Sequence, residues 1–408
     1  MNSENTILLG LDNDGKKLFS NDYQHILLLA PPSSGKGVCF VIPSLLTFQE
    51  STIVHDIKLE NYMLTSGYRA SIGHKILVWN PLGGKDKTHR YNPLDFINHN
   101  EKIIDDIQKI AYFLVKNDEA YDTDARNLFT SIVLYLCANT TKTKSFGEIA
   151  RMLQGDLIQE LSDGINKLKN IIHPIGYQNI TAFLKKDRQE QNSVIQVLNH
   201  YLAPWNNPLI DYATSKSDFD IAEFKKSKIT LYVGINPTDI NRLQPVMQFF
   251  YSHVAERLMT TAQNLGHGKE NGGVCLFIDE FYSIGKLKMF TSCMPYFRGY
   301  KIKLFLIATD FWKIEKIYGK ADSQNIITNC VSKIAFSSND YKTANKISQI
   351  CLDRTKNIEL LSWQEIINLP SDLQIILRNH EQPIISKKIF YYNDEKMKKK
   401  LIDPIAIS

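Results

Sequence analysis

The chain has 408 residues, a hydrophobic fraction of 43% and a formal net charge of +5. That length accommodates two or three domains, or one large domain with an insertion, and the small charge permits nucleic-acid contact without arguing for it. Six scattered cysteines (Cys39, Cys137, Cys275, Cys293, Cys330, Cys351) without a Cys-x-x-Cys, and ten histidines without zinc-ligand spacing, exclude a disulfide frame and a structural zinc site.

The first residues, Met1–Thr6, are polar and lack the basic stretch of a signal peptide. No apolar run has the length needed to cross a bilayer, so the chain as it stands is expected to be soluble. Thr6–Leu9 and His25–Ala30 read as strands, and Gly37–Phe48 as a helix that Pro43 should kink. Ser51–His55 and Lys75–Trp79 are short apolar or β-branched runs of the kind found in buried parallel strands. From Glu101 to about Tyr212 the period becomes helical, with Ile103, Ile107, Ala111 and Leu114 on one face and Ser145–Glu148 in capping-box form. Strand–helix alternation returns with Ile229–Ile235, a helix near Asn241–Thr261 and a turn-rich loop over His267–Gly273. Val274–Ile278, Ile302–Thr309 and Ser332–Phe336 come next as strands, and the lysines of 396–400 read as a solvated helix end. The expected architecture is an α/β core around a mostly parallel sheet, over residues 1–97 and 216–408, interrupted by an all-α insertion over 98–215.

Two strand ends carry the chemistry. His25–Ala30 runs into Pro31-Pro-Ser-Ser-Gly-Lys-Gly37, a turn whose backbone N–H groups, with the dipole of the following helix, would surround one anion. Ser33, Ser34, Gly35, Gly37 and Val38 are the expected cofactor-binding backbone, and Lys36 the neutralising cation for β- and γ-phosphate oxygens. Two positions depart from Gly-x-x-x-x-Gly-Lys-Ser/Thr: Ala30 at the first and Gly37 at the last, where a hydroxyl normally meets magnesium. Taken alone, such a segment could be a flexible turn. The second strand, Val274–Ile278, ends in Asp279-Glu280, which supplies what a bound triphosphate lacks: an acidic partner for magnesium and a base for water.

These blocks resemble the coupling proteins of type IV secretion (TraG/VirD type), within the FtsK/HerA group of ring motors. The resemblance rests on His25–Leu46, Asp56-Ile-Lys-Leu-Glu-Asn-Tyr62, Asn92-Pro-Leu-Asp95, Asp279–Gly285, Arg298-Gly-Tyr300, Ala344–Thr355 and Pro383–Asp394, and so spans nearly the whole chain. It implies a RecA-like core, ATP and magnesium as cofactors, Glu280 as the residue that orients or deprotonates water, and Asp279 at the metal. It makes Arg298 a finger supplied to the neighbouring subunit, with a surface salt bridge as the alternative. Asp56, with Glu60, could approach the metal or could instead cap a helix. Thr309 stands where such proteins carry a phosphate-sensing Gln. The resemblance further implies a homo-hexameric ring at the cytoplasmic face of a bacterial inner membrane. There it would recruit DNA–relaxase complexes or protein effectors to secretion-channel components and other secretion ATPases, with single-stranded DNA possible in the channel. Membrane-spanning helices ahead of residue 1 are usual in that family. Lys286 and Lys288 are candidate channel residues, and Lys185–Arg188 a basic stretch that could equally be a solvated face. Other readings are a nucleotide-binding docking platform with little turnover, or a soluble DNA-translocating ATPase.

Overall fold

The computed structural model describes residues 6–20, 23–116, 120–266, 268, 271–338, 340–353, 358–378 and 381–407. Within them β1 (Leu8–Leu11) and β2 (Lys17–Phe19) form a hairpin ahead of β3 (His25–Leu29). The chain then winds through a π-helical turn, Gly37–Val41, into the short α1 (Ile42–Leu45). Next come β4 (Ser51–Ile57), α2 (Glu60–Ser71) and β5 (Lys75–Trp79). A helical block comes after them: α3 (Ile103–Leu114), α4 (Asp122–Ala138), α5 (Phe146–Gln154), α6 (Leu157–Leu168), α7 (Pro174–Leu184), α8 (Arg188–Leu202) and α9 (Pro208–Ala213). Alternation resumes with β6 (Ile229–Ile235), α10 (Ile240–Leu265), β7 (Val274–Ile278), α11 (Lys288–Phe297), β8 (Ile302–Ala308), α12 (Phe311–Asn329) and β9 (Cys330–Ala335). The last elements are α13 (Tyr341–Ile350), β10 (Leu352–Asp353), β11 (Ile358–Glu359), α14 (Trp363–Ile367), β12 (Leu373–Arg378), β13 (Ile384–Lys387) and α15 (Glu395–Lys398).

The chain forms two compact units: residues 1–78, 221–244 and 254–408, and residues 79–220 with 245–253. Residues 79–97, expected in the core, cluster with the second unit, as does one stretch of the long helix α10. The positions 354 and 355, which close the Ala344–Thr355 block, lie outside the described residues, as do 1–5 of the polar start and 267, 269 and 270 of the expected loop.

The first unit is built on an 11-stranded sheet ordered β2-β1-β13-β12-β9-β3-β8-β7-β4-β6-β5. From β9 to β6 every pairing is parallel. β3, β6, β7 and β8 are buried along their whole length, which is why they read as continuous apolar runs rather than alternating ones. Beyond β9 the sheet turns antiparallel through β12, β13, β1 and β2. The parallel strands lie where the apolar runs predict them, and β1 begins two residues later than expected. β2, β12 and β13 have no counterpart in the sequence pattern: β2 and β13 are short and partly exposed, and in β12 the apolar run is broken by Gln374.

Helix α1 and the turn before it hold the loop after β3 in place. The widened turn falls where Pro43 offers no N–H, so the backbone accommodates the proline by a π-turn rather than a broken helix. Behind it Arg69 is fully buried and donates to the carbonyls of Leu45, Phe48 and Glu50 and to the Thr230 hydroxyl. This one guanidinium satisfies the Leu45 carbonyl at the end of α1 and two carbonyls of the link to β4. The C-terminal residues cross the same helices. Lys400 Nζ donates to the Leu46 carbonyl at 2.6 Å, the Tyr62 hydroxyl to the Ile405 carbonyl, and a Cβ at Gly67 would collide with the Ile402 and Asp403 backbone. The lysines expected to be a solvated helix end therefore include one that fastens a strap.

The second unit is all helical apart from Trp79 at the end of β5. Ser145 caps α5 by accepting from Glu148 N at 3.2 Å, but the Glu148 carboxylate pairs with Lys142 and Arg151, so only half of the expected capping box forms. Its core is aromatic: Phe146 stacks on Phe129 and on Trp205, with Phe249 edge-on to both Phe146 and Trp205. In the basic stretch 185–188, Lys186 pairs with Asp124 and Glu190 while Asp187 caps α8, as a solvated helix face would.

Candidate functional site

The carboxyl ends of β3, β8, β7 and β4 meet on one edge of the parallel sheet, the edge where open α/β folds bind ligands. Register places Leu29 beside Ala308 and His55 beside Ile278, so Ala30, Thr309, Asp279 and Asp56 are each the first residue past that line of pairing. The loop that leaves β3 is tied to it by Ala30 N donating to the Ala308 carbonyl at 2.9 Å. Ser33 (φ 60°) and Gly35 (φ 84°) both take left-handed backbone, and Ser34 turns its hydroxyl back to the Pro31 carbonyl at 2.6 Å. Gly35 is at home in that conformation, whereas Ser33 bears the strain of a side chain held there. Around Gly37 a Cβ would meet nothing within 4 Å, so the absent hydroxyl at this position is not imposed by crowding.

Lys36 reaches from this loop to the end of β7. Its Nζ lies 2.7 Å from Asp279 Oδ1 and 3.2 Å from Glu280 Oε1, the latter 244 positions away in sequence. Burial disfavours the Lys36 ammonium, but the attraction of Asp279 and Glu280 outweighs it and holds its pKa above the ordinary value. Burial pushes the Asp279 carboxyl up from its usual range, with Lys36 pulling the other way. Its Oδ1 is buried, and its partner is the Lys36 ammonium at 2.7 Å. Glu280 adopts left-handed backbone (φ 47°), an uncommon state for a side-chain-bearing residue and one that concentrates at functional sites.

Asp279 fits a magnesium site: a partly buried carboxylate beside a phosphate-type loop, whose Oδ1 is held by the Lys36 ammonium, a cation that phosphate oxygens can take over. Among the described residues no three His, Cys, Asp or Glu side chains are grouped to hold a metal. That suits magnesium, which takes one or two carboxylates and fills its octahedron with phosphate oxygens and water. Asp56 is not such a ligand in this structure. It is fully buried, Oδ1 accepts from Asn61 N and Nδ2, and Oδ2 accepts from Tyr62 N at 2.7 Å, so both oxygens serve the first turn of α2. Its burial raises its pKa to about 7. Glu60, the other acidic candidate from that block, turns outward with its side chain 71% exposed near Lys58.

Thr309 sits at the end of β8 between the two strands that carry Lys36 and Asp279. Its hydroxyl donates to Asp310 Oδ2 at 2.8 Å and its side chain contacts the Tyr282 hydroxyl. Tyr282 also receives Lys313 Nζ at 3.3 Å, and burial lifts its pKa to about 12. Neither Tyr282 nor Lys313 stands out in the sequence, although Tyr282 lies inside the Asp279–Gly285 block. A phenol four residues past one strand end and an amine five past another carry no motif of their own.

Arg298 is elsewhere. It is exposed, in the short turn (Arg298–Tyr300) before β8, and its guanidinium makes no hydrogen bond or ion pair with the described residues. β8 runs parallel to β3 and β7, so Arg298 stands at the opposite edge of the sheet from Lys36, about 20 Å away along seven residues of strand. Lys286 is bound to Asp322 Oδ2 at 2.8 Å and to the Tyr318 carbonyl.

A family model described as type IV secretory system conjugative DNA transfer matches residues 5–363 and 353–408. The chain is similar to protein VirD4 of Rhizobium radiobacter, 28% identical over 421 aligned positions that cover 94% of this chain and 59% of that protein. It is also similar to a conjugal transfer protein TraG of Escherichia coli, 27% identical over 369 positions covering 83% of this chain and 57% of the other. It thus spans about three-fifths of the length of the curated relatives it matches. Among solved structures, the bacterial conjugative coupling protein TrwB without its first 70 residues superposes with a TM-score of 0.69 at 15% identity, covering 96% of this chain and 89% of that one. TrwB in complex with ADP and magnesium gives 0.66 at 16% identity over 90% of this chain and 85% of the other. At such identities the likeness establishes the fold, a RecA-like P-loop core.

Proposed function

We propose, for a chain that belongs to the type IV secretory conjugative DNA-transfer family, an ATP-driven coupling motor that recruits DNA–protein or protein cargo to a secretion channel. The observation that carries the reading is Lys36 held against Asp279 and Glu280 at the carboxyl edge of the sheet. A triphosphate entering this edge exchanges the carboxylates for its own oxygens as partners of Lys36. The backbone N–H groups of Ser33, Ser34, Gly35, Gly37 and Val38 then face the phosphates, with the helix start behind them. Magnesium, when bound, neutralises charge on the phosphate oxygens, and Asp279 is the residue that would hold it. Glu280, released from Lys36, orients a water and takes its proton.

The position of Arg298 supports completion of the site by a neighbouring subunit, since within one chain it stands at the opposite edge of the sheet from Lys36. A contact of that kind is head-to-tail and closes into a ring, for which six subunits is the proposed number. The helical unit is the proposed cargo-recruiting part. The proposed station is the cytoplasmic face of a bacterial inner membrane; among the described residues no helix is long and apolar enough to cross a membrane. Thr309 committed to Asp310, and Gly37 without a hydroxyl, favour a second reading as a nucleotide-loaded docking platform with slow turnover.

ATP turnover with and without single-stranded DNA separates the two. Glu280→Gln should keep ATP affinity within a fewfold and lower turnover by about 10²–10⁴, while Lys36→Ala should lose binding. Turnover unchanged by Glu280→Gln would remove its assigned role, and negligible wild-type turnover would favour the platform.

A further inference from the structure

The orientation of a triphosphate on this loop is set by the strand order. β8 and β7, which carry Thr309 and Asp279-Glu280, flank β3 on one side, while β9, β12 and β13 lie on the other. A γ-phosphate attacked from Glu280 must lie toward β7, so the nucleoside end leaves the loop toward β9 and β13. β13 is antiparallel to β12, which is antiparallel to β9, so β13 runs in the direction of β3 and its end opens on the same edge as Lys36.

The turn after β13 is aromatic. Phe390 reaches the loop itself: a Cβ at Gly35 would stand 3.7 Å from its Cε1. The segment is held by Lys388, buried with its ammonium 3.7 Å from the Phe336 ring centroid, while Phe336 N donates to the Leu29 carbonyl just before the loop. Tyr392 packs its ring against Phe390 at 5.5 Å between centroids and against Tyr391 at 5.5 Å, yet remains 45% exposed. Phe390 is partly buried against the core cluster, and the more exposed ring is that of Tyr392.

We propose that Tyr392, backed by Phe390, is the stacking platform for the base of the nucleotide whose phosphates Lys36 holds. The proposal rests on the nucleotide reading of that loop and adds to it the subsite that grips the nucleoside. Stacking tolerates any base, since each has a π-face, so the platform selects nucleotides over bare polyphosphate rather than one purine over another.

Calorimetric titration of ATP and of inorganic tripolyphosphate into wild type, Tyr392→Ala, Tyr392→Phe and Lys36→Ala tests it. Tyr392→Ala should weaken ATP by about tenfold or more and leave tripolyphosphate unchanged, and Tyr392→Phe should bind both like wild type. ATP affinity within twofold of wild type in Tyr392→Ala, with both ligands lost in Lys36→Ala, would overturn the platform and leave the phosphate loop standing. Equal weakening of both ligands by Tyr392→Ala would also overturn it, as an effect on the loop rather than the base. Undiminished binding of both ligands to Lys36→Ala would overturn the platform together with the loop it serves.

Discussion

At the residue scale, two carboxylates one position past the β4–β7 pairing have opposite assignments, and the difference is one of partners. Asp279 pairs with the Lys36 ammonium, a partner that a phosphate can take over, whereas Asp56 spends both oxygens on α2. The sequence left Asp56 between metal and cap because Asp-x-x-x-x-Asn states which N–H groups are near only once the backbone turns through the left-handed Lys58 and Leu59. The assignment has a pH signature. Asp56 titrates near 7 when folded against an ordinary 3.8, so what it contributes to stability is fully present below the lower value and lost as pH rises through 7. Relative to Asp56→Asn, the wild type should therefore lose about 2–3 kcal/mol of unfolding free energy between roughly pH 5 and pH 8. Denaturant titrations at the two pH values measure this, and a gap that stays constant or widens in favour of the wild type would contradict the assignment.

At the scale of elements, the parallel strands and the two chemical strand ends were legible because burial on both faces writes uninterrupted apolar runs into the chain. The supports of the site were not. Arg69 lies in α2, where a lone arginine reads as surface, yet it is the group that closes the carbonyls left open behind the phosphate loop. Burial without a carboxylate partner draws its pKa down to about 10, and three backbone acceptors depend on it. Arg69→Leu should lower unfolding free energy by about 3 kcal/mol or more, since each buried carbonyl left unpaired costs about 1–3 kcal/mol. A denaturant midpoint shifted by the equivalent of less than about 1 kcal/mol would mean the carbonyls find other donors. The aromatic turn after β13 lay within a block of the family resemblance but had no role there, because its meaning comes from an antiparallel return that carries it to the edge where β3 ends.

At the scale of the molecule, the proposed reaction is divided between chains: Lys36, Asp279 and Glu280 from one subunit, Arg298 from the next. The motif order in sequence pointed to a ring by resemblance, and the strand directions add a physical ground, since Arg298 and Lys36 stand at opposite edges of one sheet. Mixing two inactive variants tests this division most directly. Glu280→Gln subunits retain the finger and Arg298→Ala subunits retain the hydrolytic site, so random mixing in a ring creates complete sites at about one interface in four. An equimolar mixture of Glu280→Gln and Arg298→Ala should hydrolyse ATP well above the average of the two separate variants. Activity of the mixture no greater than that average, with mixed assembly verified, would contradict a site shared between subunits.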